Sequence, residues 1–479
     1  MRSVWNSEDG WALAIGTGLF VLSLGIMAGF DTLGWAVATQ VWTDPRASLK
    51  PVSPAYGFLK GGGALLVTFV ATITVLTTAV AVMGESVRRF IGSFTSVFII
   101  SFCCWWFGHW AYIAATPDRQ AAMGLSWSLG LTGEAGYLVA LLAGLLIGNL
   151  WPQGSRYIQA AIRPEWYVKI AIVVMGAAVG VKAAEASDLA VTVLFRGFAA
   201  IVEAYLLYWA VVYYLARRYF GFSREWAAPL ASGISICGVS AAIATGAAIR
   251  ARPVVPIMVS SLVVIFSVVE LLILPWLAVH LLPHEPLVAA AWMGLAVKTD
   301  GAAVASGAIS EALFQAHAAA AGETLAEGWM RMTTTTVKVF IDVFIGIWAF
   351  LLALVWTYAI EPRPGERLPA RAIWERFPKF VLGYLLTFLI AMLLTSSLPH
   401  RLSELKIATE QAEVFRRLFF VMTFFTIGVS SNFRKLWDEG MAQLAVVYVV
   451  CLFGFILWVG LAISWLFFHG VHPPGAAHP

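Results

Sequence analysis

Charged side chains are scarce in this sequence. Asp, Glu, Lys and Arg together make up 12% of its 479 residues, whereas a soluble domain carries about 25%. Hydrophobic residues make up 60%, and the mean hydropathy is +0.82. This composition excludes a large soluble domain and predicts an integral membrane protein. The apolar runs are continuous and do not alternate with a period of two, so the sequence predicts spanning helices and not barrel strands.

Motifs for metal, nucleotide and nucleic-acid binding are also missing. The sequence contains no GxxxxGK[ST] segment for ATP phosphates and no HExxH segment for zinc. The net charge of +4 includes no basic block of the kind that binds nucleic acid. Four cysteines lie in apolar segments without CxxC spacing: Cys103, Cys104, Cys237 and Cys451. His109 lies close to the first two, in a position typical of the end of an aromatic helix. We therefore expect no metal site, no cofactor, no nucleic-acid partner and no enzymatic activity.

Long apolar segments dominate the sequence instead. A helix needs about 20 apolar residues to cross the hydrocarbon core of a lipid bilayer. Thirteen segments qualify: 11–30, 57–83, 92–115, 134–151, 167–184, 189–215, 226–249, 255–281, 287–310, 332–358, 378–396, 414–434 and 441–468. Three loops on one face are rich in arginine: 84–90, 216–225 and 362–379. The positive-inside rule then predicts a multi-pass protein of the inner (cell) membrane with a cytoplasmic N-terminus.

The segment ASGISICGVSAAIATG, residues 231–246, places glycines and hydroxyl side chains at mid-span. Glycine weakens a helix, and hydroxyl groups can satisfy the backbone groups that a break would free. One interpretation is a face of small residues for tight helix packing. The other is a discontinuous helix whose second half points its N-terminus at a bound anion. The second interpretation assigns substrate binding to six residues: Ser232, Gly233, Ser235, Cys237, Gly238 and Ser240.

Two further segments carry ionisable residues at membrane depth, where such residues are costly and usually functional. WMGLAVKTDGAAVASG, residues 292–307, contains Lys298 and Asp300. Residues two apart do not share a helix face, so this pair requires non-helical backbone or different partners. MTTTTVKVFID, residues 332–342, contains Lys338 and Asp342 four apart on one helix face. A structural ion pair is the alternative in each case, and Glu270 is an isolated carboxylate that could carry a proton.

A resemblance rests on five stretches in this order: SGISICGVSAAIATGAAIRARP, WMGLAVKTDGAAVASGAI, TTVKVF, FPKFVLGYLLTFLIAMLL and FFTIGVSSNFRKL. The sequence is similar to the YeiH-like family of sulfate exporters, the UPF0324-type membrane proteins, over roughly residues 134–468. That family resembles the broken-helix transporters of the sodium/proton antiporter and bile acid symporter type. The apolar segments predict an all-α polytopic fold of about 13 transmembrane helices, and the resemblance implies an inverted-repeat core with discontinuous helices and a homodimer. Residues 1–125 would form an extension of three helices, and residues 126–479 a transporter core of about ten.

The chain departs from this family at one place. Where family members read like SIHEVAQ, this chain reads AVKTDGA, so that Lys298 and Thr299 replace a histidine and a glutamate. A permanent cation and a hydroxyl group suit an anion site, but they do not titrate near neutral pH. The departure therefore removes the support for proton coupling through the family's histidine and glutamate.

These observations predict a secondary transporter of small anions that works by alternating access. The substrate-binding residues would be Lys298, Thr299 and Lys338 together with the six residues of the first segment. The family name points to export of sulfate, sulfite or a related sulfur oxyanion. A coupling proton or Na⁺ would be carried by one of three carboxylates: Asp300, Asp342 or Glu270. An anion channel, a transporter of organic sulfonates or carboxylates, and a membrane enzyme with a Ser235–Lys298 dyad are the alternatives.

Overall fold

In a computed structural model, the structure describes residues 5, 7–115, 120, 123–129, 135–185, 187–252, 254–343, 345–360, 379–431 and 442–473. Apart from a two-stranded hairpin, its regular elements are helices. Long apolar runs produce this result because a helix satisfies every backbone hydrogen bond within one segment. The prediction of an all-α membrane protein is confirmed.

The helices of the N-terminal part are α1 (Glu8–Ser23), α2 (Lys60–Val82), α3 (Val87–Gly108), α4 (Ala111–Ala114), α5 (Ala135–Leu150), α6 (Pro152–Tyr157) and α7 (Pro164–Glu185). The hairpin pairs β1 (Val37–Thr39) with β2 (Leu49–Pro51) in antiparallel register, with Ala38 opposite Lys50. Turns of 3₁₀-helix cover Leu24–Ala28, Pro45–Ala47, Pro54–Leu59 and Gln159–Ala161.

The remaining helices are α8 (Ser187–Arg218), α9 (Arg224–Ser235), α10 (Gly238–Ala248), α11 (Val254–Leu281), α12 (Pro286–Ala296), α13 (Asp300–Ala320), α14 (Trp329–Val343), α15 (Ile345–Val355), α16 (Lys379–Ser397), α17 (Leu402–Ser430), α18 (Ala442–Cys451) and α19 (Leu457–Phe468). A 3₁₀ turn covers Pro399–Arg401, and turns of π-helix cover Trp356–Ile360 and Leu452–Ile456.

The chain divides into two compact units. The first comprises Met1–Val191, Gln315–Thr324 and Lys379–Ser430. Within it, α7 is buried along most of its length and packs against α1, α16 and α17. Gly176 of α7 faces α16 so closely that an added Cβ atom would collide with the carbonyl oxygen of Tyr384. Small residues at such contacts let membrane helices approach each other, which is how packing is achieved where lipid and core are equally apolar.

The second unit comprises Thr192–Phe314, Leu325–Pro378 and Ser431–Pro479. All 11 residues of α12 are buried there, and this helix packs against α14 and α19. The indole nitrogen of Trp292 donates to the carbonyl oxygen of Leu457 at 2.9 Å. The hydroxyl group of Thr334 in α14 donates to the carbonyl oxygen of Ala290 at 2.7 Å. This unit contains every residue that the sequence assigns to the anion site or to coupling.

Fewer than thirteen helices among the described residues are long and apolar enough to span a membrane. In the part of the chain that the structure describes, eight helices are long and apolar enough to cross a membrane, and α5 and α12 are shorter apolar helices. Each predicted segment coincides with a helix or with a pair of helices. A break divides each of two predicted segments, 226–249 and 287–310, into two shorter helices. Two other long helices, α8 and α17, carry charged residues near their ends. The presence of several spanning helices is confirmed, and the total of thirteen stays a prediction.

Candidate functional site

The first break lies between α9 and α10. Helix α9 ends at Ser235, and α10 begins at Gly238. The two residues between them leave helical geometry, with φ −112° and ψ −90° at Ile236 and an extended conformation at Cys237. Gly238 lies against α11, where an added Cβ atom would collide with Val263. The interpretation of residues 231–246 as a discontinuous helix is therefore confirmed.

The second break lies between α12 and α13. Helix α12 ends at Ala296, and α13 begins at Asp300, so that Lys298 lies on non-helical backbone, which is one of the two alternatives that its spacing from Asp300 left open. Thr299 opens the next helix, because its carbonyl oxygen accepts from the backbone N–H of Ala303 at 2.9 Å and its hydroxyl oxygen accepts from that of Ala302 at 3.4 Å. A threonine at this position satisfies N–H groups that a helix leaves unpaired at its start.

The two breaks meet. The backbone N–H of Gly238 donates to the carbonyl oxygen of Lys298 at 2.7 Å. Two helices therefore end and two helices begin at one crossing, all within the second unit. The ends of α9 and α12 bring partial negative charge, and the starts of α10 and α13 bring partial positive charge. A site with both signs of dipole at membrane depth can hold charged groups that the lipid cannot.

Lys338 of α14 contacts the carbonyl groups at the ends of α9 and α12, where the partial charge is negative. Its ammonium group donates to the carbonyl oxygens of Ile236 and Lys298, both at 3.2 Å, and of Val297 at 3.4 Å. The nitrogen also lies 3.9 Å from Oδ1 of Asp300. A lysine has three N–H donors, so these three carbonyl groups use all of them. Lys338 thereby satisfies backbone groups that the breaks release from helical hydrogen bonding.

Lys298 has a different environment. Its side chain is 1% exposed, and its ammonium group lies 5.1 Å from the centre of the Tyr208 ring. The ammonium group donates to the carbonyl oxygen of Leu295 near the end of α12. One carbonyl acceptor uses one of the three N–H donors of lysine. Lys298 therefore combines a buried positive charge with N–H donors that its hydrogen bonds to the described residues do not use.

Glu270 of α11 contacts the backbone of the second break. Its Oε2 atom accepts from the backbone N–H of Lys298 at 3.2 Å, and its Oε1 atom accepts from the Tyr448 hydroxyl group at 2.8 Å. The residue is fully buried. The sequence identifies Glu270 as an isolated acid and misses both partners. Tyr448 lies 178 residues away, and no local pattern links it to Glu270.

Cys237, Asp300 and Asp342 form a second group of chemical interest. The Cys237 thiol donates to Oδ1 of Asp300 at 3.0 Å. One potential ligand atom from each of the three residues lies within 4.8 Å of the other two. The sequence pairs Asp342 with Lys338 by their spacing on α14, and the structure adds Asp300 to the same neighbourhood.

The other predicted residues have separate surroundings. The Ser232 hydroxyl oxygen accepts from the Trp209 indole nitrogen at 2.9 Å and from the Thr245 hydroxyl group at 2.7 Å, so it ties α9 to α8 and α10. Gly233 faces Val259 of α11. The Ser235 hydroxyl group is buried without a hydrogen-bond partner in the part of the chain that the structure describes. The side chain of Ser240 lies outside the described residues, and substrate binding by these residues stays a prediction.

Comparison with known proteins identifies the family. A family model described as conserved hypothetical protein 698 matches residues 124–447, and the chain is 40% identical to a UPF0324 membrane protein of Nitrosomonas europaea over 99% of both chains. The chain belongs to the UPF0324 family of membrane proteins. This confirms the resemblance that the sequence motifs indicate.

More distant UPF0324 relatives align over much of the chain. A UPF0324 membrane protein of Nitratidesulfovibrio vulgaris is 27% identical over 82% of this chain and 62% of its own length. One of Rhodopirellula baltica is 26% identical over 80% of this chain and 64% of its own length. No solved structure matches the chain. The family names and the long apolar helices together identify a multi-pass membrane protein.

Proposed function

We propose that this UPF0324 protein is a secondary transporter of small anions. The observation that carries the proposal is the crossing of two broken helices, at which the backbone N–H of Gly238 donates to the carbonyl oxygen of Lys298. Transporters place their substrate sites at such breaks near the middle of the membrane, where the starts of half-helices face anionic groups. Two buried lysines at the same crossing support an anionic substrate.

The partners of the two lysines divide their roles. Lys338 donates to three backbone carbonyl groups and holds the crossing together. Lys298 donates to a single carbonyl group and carries its charge beside Tyr208. We therefore assign direct contact with the anion to Lys298. Ser235, whose buried hydroxyl group has no hydrogen-bond partner among the described residues, is the hydroxyl donor that best complements it.

Sulfate, sulfite or a related sulfur oxyanion is the substrate class that we favour, with export as the direction. Compact oxyanions suit a site of backbone N–H groups, hydroxyl groups and one lysine. Two arginines within or beside spanning segments are engaged elsewhere: Arg196 donates to the carbonyl oxygen of Phe467 at 2.8 Å, and Arg331 lies 3.6 Å from Glu311. We therefore assign neither guanidinium group to the anion.

The finer architecture belongs to this proposal. The protein would have an inverted-repeat core of residues 126–479, would form a homodimer and would work by alternating access. It would lie in the inner membrane with a cytoplasmic N-terminus. A coupling proton or Na⁺ would be carried by one of the buried carboxylates: Asp300, Asp342 or Glu270. Near the crossing, two lysines face three carboxylates, so the protein itself offers no surplus positive charge to a dianion. This balance supports coupling to a cation that enters with the anion.

The test is counterflow in liposomes that contain the purified full-length chain. Labelled sulfate or sulfite should accumulate against an unlabelled internal pool and should saturate, whereas a channel would only dissipate the gradient. Lys298→Gln should reduce the apparent affinity for the anion by about tenfold or more, the equivalent of one charge-assisted hydrogen bond. Lys169→Gln is the matched control, because Lys169 is a buried lysine of the first unit, paired with Asp9 at 2.8 Å.

Two outcomes would overturn the proposal. If no anion of a panel of sulfate, sulfite, thiosulfate, sulfonates and carboxylates shows counterflow or raises the melting temperature, anion transport is wrong. If Lys298→Gln behaves like Lys169→Gln, transport stands but the assignment of Lys298 is wrong.

A further inference from the structure

Cys237, Asp300 and Asp342 form a group that is not among the residues proposed to contact the anion, although its two carboxylates are also candidates for cation coupling. Cys237 precedes α10, Asp300 begins α13 and Asp342 lies near the end of α14, so three separate segments of the chain supply one residue each. The exposed fractions of the three residues are 0%, 1% and 1%. Their potential ligand atoms, one sulfur and two carboxylate oxygens, lie within 4.8 Å of one another.

An unsatisfied atom in this group indicates a missing ligand. The Oδ2 atom of Asp300 is buried and has no hydrogen-bond partner within the described residues, while its Oδ1 atom accepts from Cys237 and lies near Lys338. A buried carboxylate oxygen without a partner costs free energy unless a cation or a donor compensates it.

The charges of the group identify the kind of cation. With the thiol neutral, two ionised carboxylates and the Lys338 ammonium leave one net negative charge. When a divalent cation binds and the thiol loses its proton, the total becomes zero, which is the state that a low-dielectric interior favours. Alkali cations and Mg²⁺ prefer oxygen ligands, whereas a thiolate with carboxylates suits zinc-class ions.

We propose that Cys237, Asp300 and Asp342 bind a thiophilic divalent cation of the zinc class. On binding, the S–H bond of Cys237 breaks, a sulfur–metal bond forms, and the proton leaves to solvent. Three protein ligands leave a fourth position open, as in zinc sites that also bind a small molecule. The sequence expectation of no metal site rests on CxxC spacing, which cannot detect ligands that lie 63 residues apart, as Cys237 and Asp300 do.

Co²⁺ titration of the tag-free, detergent-purified full chain tests this site, because a thiolate–Co²⁺ bond gives a charge-transfer band in the near ultraviolet. The exposed Cys103 and its neighbour Cys104 are replaced by serine in every sample. One equivalent of Co²⁺ should produce the band and release one proton. Cys237→Ser should abolish the band, and Asp342→Asn should weaken binding at least tenfold, since even outer-sphere partners of a metal contribute about 10- to 100-fold.

Cys451→Ser is the matched control, because Cys451 is also a buried cysteine of the second unit. It should leave the band unchanged. The proposal is overturned if the parent chain shows no band, or if Cys237→Ser retains it. If Cys237→Ser does not fold, the melting temperatures of the other two proteins test the proposal. Zn²⁺ must raise the melting temperature of the parent chain and must not raise that of Asp342→Asn. None of these measurements requires transport, so the metal site and the anion transporter can fail separately.

Discussion

Two lysines of the same crossing differ in what surrounds them, and this difference determines what each can do. Lys338 is surrounded by backbone carbonyl oxygens from both breaks, whereas Lys298 lies beside an aromatic ring and a single carbonyl group. A buried charge whose donors are all used is a structural element, and a buried charge with spare donors is a binding element. Identical side chains therefore have different functions because of their hydrogen-bond partners.

This distinction predicts unequal losses of stability. Lys338→Met should lower the free energy of unfolding by about 3–5 kcal/mol, because it leaves three carbonyl groups and Asp300 without their cation. Lys298→Met should lower it by about 1–3 kcal/mol. Thermal and denaturant unfolding in mild detergent compares the two variants. Equal losses, or a larger loss for Lys298→Met, would contradict the assigned roles.

At the scale of the element, the broken helices depend on close approach to their neighbours. Gly238 starts α10 against Val263 of α11, and its backbone N–H donates across the crossing to Lys298. A side chain at this position would push α10 away from α11 and lengthen that hydrogen bond. The glycine is needed here for space, since its own φ is not in the left-handed region.

The element scale gives a prediction with an internal control. Gly238→Ala should destabilise the protein by about 1–3 kcal/mol, the usual cost of overpacking. Gly454→Ala should be neutral or slightly stabilising, because an added Cβ atom there meets nothing within 4 Å and alanine favours a helix. Melting temperatures of the two variants provide the measurement, and a loss at Gly454 as large as that at Gly238 would refute the packing explanation.

At the scale of the whole molecule, the distribution of arginine predicts how the chain is oriented in the membrane. The turn before α3 precedes Arg88 and Arg89, while the segment after α13 is acidic. Charge asymmetry of this kind predicts that the first turn lies in the cytoplasm and the second segment outside.

Thiol labelling of intact cells tests this orientation. Ser86→Cys and Thr324→Cys, both at exposed positions, are made in a chain with Cys103 and Cys104 replaced by serine. A membrane-impermeant reagent should label Thr324→Cys in intact cells and should label Ser86→Cys only after lysis. The reverse pattern would place the N-terminus outside.

Local signals in the sequence account for part of this site. Glycines and hydroxyl residues at mid-span indicate the first break as one of two interpretations, and the two-residue spacing of Lys298 and Asp300 does the same for the second; the structure contains both breaks. The partners of the site could not be predicted in this way. Tyr208 and Tyr448 are ordinary aromatic residues within apolar helices, and they become partners of Lys298 and Glu270 only through contacts distant in sequence. Such contacts leave no local pattern.

The three carbonyl contacts of Lys338 impose an order on biosynthesis. Ile236 is made 102 residues before the lysine that satisfies its carbonyl group. At about 5–20 residues per second, the ribosome needs on the order of 5–20 s to cover that distance. During this interval the nascent chain contains the first break but not yet its cation. The nascent chain must therefore keep that carbonyl group in contact with water or with a protein of the insertion machinery until α14 arrives.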